Sequence, residues 1–209
     1  MRRLIIYTLP LLFMWAGCNK AEFIEVVHLG AVEKEFFLPS STIEDTITLV
    51  SNTHYMVEIT EGEDWLTLAG SGFIPLSRKE IPFRCEANHN FRRTAKVTLS
   101  AATRVDTVYI RQEGALEDKI TLIEDVFEVP AKGGTYTTEV ICYRYPDNVL
   151  LDISAPNLIS AEYSDKRLTI TVGPATERDP KTYTVTAYYL DGWGERVTAV
   201  ATLNQKARL

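Results

Sequence analysis

Arg93-Thr94-Ala95-Lys96-Val97-Thr98-Leu99, followed by Val105 to Ile110, is the stretch whose reading decides the fold. Ala95, Val97 and Leu99 alternate with polar residues at a period of two, the pattern of a strand with one face buried and one face wet. Working outward, similar short apolar runs recur in Ile43, Ile47 and Leu49, in Tyr55, Val57 and Ile59, in Trp65-Leu66-Thr67-Leu68 and from Ile81 to Ala87. With the opening stretch they supply six strands, rich in Val, Ile, Thr and Tyr. Before them, Phe23 to Leu29 and Glu35 to Leu38 read as a first strand broken in two around Gly30. No window of eleven or more residues carries a helical period, and the spacing of strand and turn signals is that of a small sandwich.

The second half repeats the plan. Phe36-Phe37-Leu38-Pro39 corresponds to Phe127-Glu128-Val129-Pro130, Arg93 to Thr98 corresponds to Lys181 to Thr186, and Ile110-Arg111-Gln112 corresponds to Leu203-Asn204-Gln205. Lys119 to Ile123 stands for the split first strand. Three anchor points in the same order make this an internal repeat. The junction, Gly114-Ala115-Leu116-Glu117-Asp118, is too short for a flexible spacer, so the two modules are expected to sit end to end with little freedom.

Ahead of the modules, Arg2 and Arg3 precede an apolar run from Leu4 to Trp15, closed by Ala16-Gly17-Cys18. The run is too short to span a bilayer of roughly 30 Å as a helix and reads as a secretory signal. Trp15-Ala16-Gly17-Cys18 resembles the lipobox of bacterial lipoproteins, in which the cysteine is acylated and becomes the first mature residue. This implies residues 1–17 as signal peptide, lipidated Cys18 with a short tether through residue 21, and modules over 22–114 and 118–207. The membrane is then a partner through the lipid on Cys18, at the outer membrane, with the cell surface favoured over the periplasmic face.

Removing residues 1–17 takes two arginines from 22 basic residues and none of 28 acidic ones, leaving a side-chain balance of −8. So acidic a chain repels phosphate backbones and anionic lipid, which excludes nucleic acid as an expected partner. Cys85 and Cys142 fall on the apolar side of alternating runs and read as small buried hydrophobes rather than as a disulfide.

In the first module, Trp65-Leu66-Thr67-Leu68, the turn Gly70-Ser71-Gly72, Asn88 and Asn90, the stretch Arg93 to Leu99 and the ending Ile110-Arg111-Gln112-Glu113-Gly114 together resemble the BACON domain. The resemblance implies an immunoglobulin-like β-sandwich of a kind common in Bacteroidetes, found beside glycan-degrading modules or on short lipoproteins. The fold class expected is therefore all-β, with two tandem immunoglobulin-like β-sandwich domains after a lipoprotein signal peptide. The second module departs from the pattern, with Leu158 where Trp65 would stand and Thr176 and Arg178 where Asn88 and Asn90 would stand.

Catalytic chemistry finds no foothold. The histidines His28, His54 and His89 lack metal-ligand spacing, and Ala69-Gly70-Ser71-Gly72-Phe73 misses the nucleophile elbow by one residue on each side. Glu61, Glu63 and Asp64 read as a solvated turn rather than half a calcium site. No cofactor, metal or catalytic residue is expected. A binding function would show in aromatics, because sugars lay their C–H faces on rings. Trp65 reads as a core residue between the sheets. Trp193 lies in Leu190-Asp191-Gly192-Trp193-Gly194-Glu195, a hairpin tip expected to be exposed; packing on its own hairpin or on the other module is the alternative. Asp191, Glu195 and Arg144 would orient hydroxyls around it, and Tyr143-Arg144-Tyr145 reads as a second exposed aromatic turn. Phe91 beside Arg92 and Arg93 is a third candidate, equally explained by solubility, and Phe73-Ile74-Pro75 reads as a plug over one end of the sandwich. The expected function is non-catalytic binding of glycans, polysaccharide or mucin-type, at the envelope. The alternative is a spacer, scaffold or adhesion module docking a protein partner, which would need an open edge strand or an apolar patch.

Overall fold

A computed structural model describes residues 26–208; the expected signal peptide, Cys18 and the short tether through residue 21 lie outside them. The described residues form strands only. The first module contains β1 (Leu29–Ala31), β2 (Glu35–Leu38), β3 (Ile43–Ser51), β4 (Tyr55–Glu61), β5 (Leu66–Leu68), β6 (Gly72–Ile74), β7 (Glu80–Cys85), β8 (Arg93–Ala101) and β9 (Arg104–Gln112). The second contains β10 (Ile120–Leu122), β11 (Val126–Val129), β12 (Gly134–Cys142), β13 (Leu150–Ile153), β14 (Ile159–Ser164), β15 (Arg167–Val172), β16 (Lys181–Leu190) and β17 (Arg196–Gln205).

The alternation that marks each strand becomes its burial. Along β8, Ala95, Val97, Leu99 and Ala101 point into the core while the intervening residues face outward. Two sheets close on that core, β1-β3-β7-β5 on one side and β2-β9-β8-β4-β6 on the other. The second module repeats this with β10-β12-β15-β14 facing β11-β17-β16-β13. The chain is therefore two tandem immunoglobulin-like sandwiches. Among the described residues, their buried clusters lie within residues 36–110 and 120–203, one to each module. Fully burying one such aliphatic or aromatic side chain is worth about 1.5–3 kcal/mol, so these cores carry the fold.

Backbone pairing bears out the internal repeat. Leu38 pairs with Gln112 in a parallel β2–β9 ladder, and Val129 pairs with Gln205 in a parallel β11–β17 ladder. Both glutamines are buried and their amides do the same job: Gln112 Nε2 donates to Glu86 O at 3.0 Å and Gln205 Nε2 to Gly173 O at 2.8 Å. Leu158 takes the place of Trp65, since Glu86 N reaches Trp65 O at 3.0 Å and Gly173 N reaches Leu158 O at 2.8 Å. The position of Asn88, however, is taken by Ala175 and not Thr176: Asn88 N donates to Ser40 O, and Ala175 N to Ala131 O, each at 2.7 Å. The loop before β16 is one residue longer than the loop before β8, which shifts the apparent correspondence.

Two further expectations are corrected. Gly30 does not break the first strand but lies inside β1, where a Cβ would stand 3.4 Å from Asp106 Oδ2. That carboxylate accepts Ala31 N at 2.9 Å, and the chain changes sheets only afterwards, through Val32 to Lys34. The segment after Gly70 is not merely a plug: Gly72–Ile74 adds an edge strand to β4, burying Ile74 and leaving Phe73 outside. Cys85 and Cys142 are both buried free thiols, and burial pushes Cys85 up to about 11.

Candidate functional site

The residues chosen as binding candidates converge on the junction between the modules. The turn joining β16 to β17 is organised by Asp191, whose Oδ1 accepts Trp193 N at 2.7 Å and Glu195 N at 3.0 Å. Gly194 takes φ +81°, which closes the turn at a position where a side chain would be strained. The tip then lies against the first module. Gly192 O accepts Thr94 Oγ1 at 2.6 Å, and a Cβ on Gly192 would stand 2.0 Å from Arg92 O, so glycine is required for this approach.

Trp193 follows the tip. Its Nε1 donates to Arg93 O at 3.2 Å, its carbonyl accepts Arg111 Nη1 at 2.9 Å, and its ring meets Phe37 edge-on at 5.6 Å. The Arg92 guanidinium stands 4.8 Å from the ring centroid, a cation–π contact. The expectation of an exposed Trp193 is thus corrected, and its alternative, packing on the other module, holds. A hairpin tip has nothing of its own to bury an indole against, but the neighbouring sandwich offers an apolar edge, a carbonyl and two arginines.

Beneath the tip is a network of buried charges. Arg144 Nη1 reaches both oxygens of Asp118 at 2.9 Å, and Nη2 donates to Arg92 O at 2.9 Å. Asp118, its side chain only 4% exposed, also accepts Tyr189 Oη at 3.1 Å. Arg92 Nε lies 3.6 Å from Asp118, its Nη2 abuts the fully buried Asp191 carboxylate, and its Nη1 is 3.1 Å from Glu195 at the wet rim. Burial alone would pull the Arg144 guanidinium down, but its hydrogen bonds to Asp118 outweigh that and hold it above its ordinary value. Burial, and then the Asp118 charge, push the Tyr189 phenol up. Charges this deeply desolvated are tolerated because each one faces a partner.

Arg144 and Asp191 are therefore structural contacts between modules, and Asp118 at the end of the junction segment ties them together. The segment itself is clipped back onto the first module, with Ala115 N donating to Asn88 O and Leu116 N to Asn90 O, each at 3.1 Å. Asn88, buried, donates its amide to Phe91 O at 2.8 Å and Glu113 O at 3.0 Å, which shapes the loop that presents Arg92. Of the remaining candidates, Tyr145 packs edge-on against Tyr189 at 5.6 Å and keeps one side exposed, Glu195 is exposed at the rim, and Tyr143 is the most open, 79% exposed.

Sequence reasoning missed Asp118, Thr94, Arg111 and Phe37 as partners, and explained Arg92 equally well by solubility. A signal was present: the two connections of the second module that reach the junction are both longer than their counterparts in the first. Trp65 is in the core as expected, with Arg93 stacked 4.2 Å from its ring centroid. A groove of ~340 Å³ runs alongside, lined by Asp64, Asn90, Phe91, Arg93 and, from the second module, Arg144. Glu61 is paired with Lys96 rather than gathered with Glu63 and Asp64 around a common point.

No family model matches the chain, and no curated protein matches it. Among solved structures it is similar to a Bacteroides ovatus GH5 xyloglucanase in complex with a XXXG heptasaccharide, at 19% identity and TM-score 0.35. That alignment covers 42% of this chain and 19% of the xyloglucanase, so the match spans about a fifth of that protein. It is also similar to a chimeric titin Z1Z2-Z1Z2 tandem, at 14% identity and TM-score 0.41, covering 87% of this chain and 100% of the other. An endo-fucoidan hydrolase of glycoside hydrolase family 107 aligns at 10% identity and TM-score 0.33, over 86% of this chain and 29% of the hydrolase. The fold assignment rests on the sheet order itself.

Proposed function

We propose that this chain is a non-catalytic, lipid-anchored spacer of the bacterial envelope: two BACON-like modules held in one orientation, displaying a partner or ligand away from the membrane. One observation carries the reading. The residues that a sugar-binding hairpin would present to solvent, Trp193 and Asp191, are spent on joining the modules, together with Arg144 and Asp118. Interfaces between domains of one chain are by default polar and mobile; a buried network of ion pairs with a close backbone approach at Gly192 supports a fixed register here. Acylation of Cys18 supplies the anchor, and the acidic surface keeps the chain soluble and extended from its neighbours.

The test is a distance measurement. Spin labels at Thr48→Cys and Thr137→Cys, exposed positions on different modules, should give one narrow distance distribution. A broad distribution in the wild-type background overturns the spacer reading.

A second reading keeps glycan binding. It is favoured by the groove lined by Asp64, Asn90, Phe91, Arg93 and Arg144, where polar groups flank an aromatic ring, and by the open Tyr143. A shallow site of this kind would bind at about millimolar to tens of micromolar, since few atoms are desolvated. Titration with plant, mucin and bacterial glycans, with Tyr143→Ala and Asn90→Ala alongside, separates the two readings. Saturable binding lost in either variant places the ligand there, and a flat response across the panel removes it.

A further inference from the structure

The end of the first module opposite the junction has a character unlike the rest of the chain. Four segments meet there: the start of the described chain at Val26 to His28, the β3–β4 connection Asn52 to His54, the β6–β7 segment Phe73 to Lys79, and the β8–β9 turn at Ala102-Thr103. Their contacts are direct. Asn52 Nδ2 donates to Val26 O at 2.9 Å and Asn52 Oδ1 accepts His28 N at 2.8 Å. Leu76 N donates to His54 Nδ1 at 3.2 Å, and the His54 ring stacks on Phe73 at 5.2 Å.

Across the outer face of the sheet at this end runs a row of paired positions, Phe73–Met56–Ser100–Val105. Phe73 is 68% exposed and Val105 69%, with Leu76 and Val26 also open at the same end. Phe73 and Val105 stand at the two ends of that row with β4 and β8 between them, and exposed apolar side chains collected at one end of a module offer a contact surface. Charge sets this end apart as well. Residues 26–28, 50–54, 73–79 and 102–105 hold Arg78, Lys79 and Arg104 and no acid, with Glu80 and Asp106 flanking them, in a chain whose overall balance is −6. Arg78 donates to Ala69 O and Glu80 O and Lys79 to Ser51 O, so Arg104 is the open cation of the three. The expected repulsion of anionic lipid was read from the charge of the whole chain, which this tip does not share.

We propose that this tip is a docking surface for a lipid bilayer bearing anionic phosphate headgroups, with Phe73, Leu76 and Val105 entering the interface, Arg104 meeting the phosphates, and the half-buried charges of Arg78 and Lys79 adding to the local positive field. The position of the chain entry favours this occupant over a protein. Cys18 is eight residues before Val26, so even fully extended the intervening chain reaches at most about 26–29 Å. An anchored module therefore meets the membrane from this end first, with the tether entering beside it. The excursion carrying Phe73 and Leu76, residues 69–79, has no equivalent in the second module, where β14 turns directly into β15 through Asp165-Lys166. The geometry of attachment rests on the lipid-anchored reading; the affinity of the tip for a bilayer does not.

The test uses the soluble form from Asn19, which keeps both cores and lacks Cys18, sedimented with vesicles of phosphatidylcholine alone or with phosphatidylglycerol. Wild type should partition onto the anionic vesicles, less so as salt rises, and the triple variant Phe73→Ser, Leu76→Ser, Arg104→Glu should lose about tenfold or more of that partitioning. All three positions are exposed, so circular dichroism should report an unchanged fold. In a second measurement, Phe73→Trp should shift its emission to the blue on the same vesicles. A wild-type chain that stays in the supernatant on both vesicle types, or a variant that sediments as well as wild type, overturns the proposal. Acylation of Cys18 is read separately by mass on the full-length protein. Its absence would sink the anchored reading and leave the vesicle result standing.

Discussion

The two modules share one plan and differ in where each carries extra chain, and those differences separate their roles. In the first, β3 passes to β4 through three residues and β8 turns into β9 through two, Ala102-Thr103. In the second, the equivalent connections take seven residues, 143–149, and five, 191–195. Both long connections reach back to the first module, one with Arg144 and the other with Gly192 and Trp193. The first module has its own addition, residues 69–79, which crosses to the opposite sheet of the same module as β6 and opens apolar side chains to solvent at the far end. The scaffold is thus the constant and the loops decide what each end touches.

Breaking the junction where the second module's loops grip the first should have the largest effects. Asp118→Ala leaves Arg144 buried without its carboxylate, at a cost of about 3–5 kcal/mol. Because each core is self-contained, the loss should appear as one thermal transition splitting into two, with both modules still folded at low temperature. Gly192→Val forces a side chain into the space held by Arg92 O and should cost about 1–3 kcal/mol of coupling, broadening the spin-label distance distribution. Trp193→Ala removes the indole from Arg92, Phe37 and Arg93 O, with an expected loss of about 1–2 kcal/mol. It should also remove a blue-shifted component from the emission, because both mature-chain tryptophans are shielded. A red-shifted loss would return Trp193 to solvent.

Acid sharpens the comparison between modules. Asp106 is partly buried, which raises its carboxyl, but hydrogen bonds from Lys34, Ala31 and Thr107 outweigh this and hold it below the ordinary value. A carboxylate with a depressed folded-state pKa contributes stability that is present above its unfolded value near 4 and is lost as pH falls through the lower folded one. In the repeat, Asp106 corresponds to Ala199, so this sensitivity belongs to the first module. Unfolding followed at pH 7 and again below pH 4 should show the first module's transition falling further, and Asp106→Asn should remove most of the difference. The smallest effect is expected of Glu195→Gln, which removes an exposed partner of Arg92 and should cost less than about 1 kcal/mol.

Much of the fold was legible in the sequence because it depends on local pattern. Alternation at a period of two marks a strand whatever it pairs with, and the repeated anchors at Phe36 and Phe127, Arg93 and Lys181, Gln112 and Gln205 align the modules strand by strand. Trp65 could be assigned to the core because it opens a strand beside Leu66 and Leu68. The one-residue slip at Asn88 and the missed edge strand at Gly72–Ile74 fall where loop length varies, and loop length leaves no periodic trace.

The candidate site was less legible. Trp193, Asp191 and Arg144 were picked out as ligand-binding candidates, but the solvent expected around them is the neighbouring module. A Gly-Trp-Gly hairpin tip reads the same whether it faces water or another sandwich. Likewise Arg92 and Asp118, charged residues in short polar segments, look solvated until their partners 26 to 99 positions away are brought up against them. The sequence by itself determined the strands, the two cores and their kinship, since burial on one face of a strand is written in every second residue. The tertiary structure alone decided that the tip of one module is the lock on the other and that one end of an acidic chain is basic and apolar. Those properties arise from residues distant in the chain, and only folding sets the distances at which desolvation and charge pairing act.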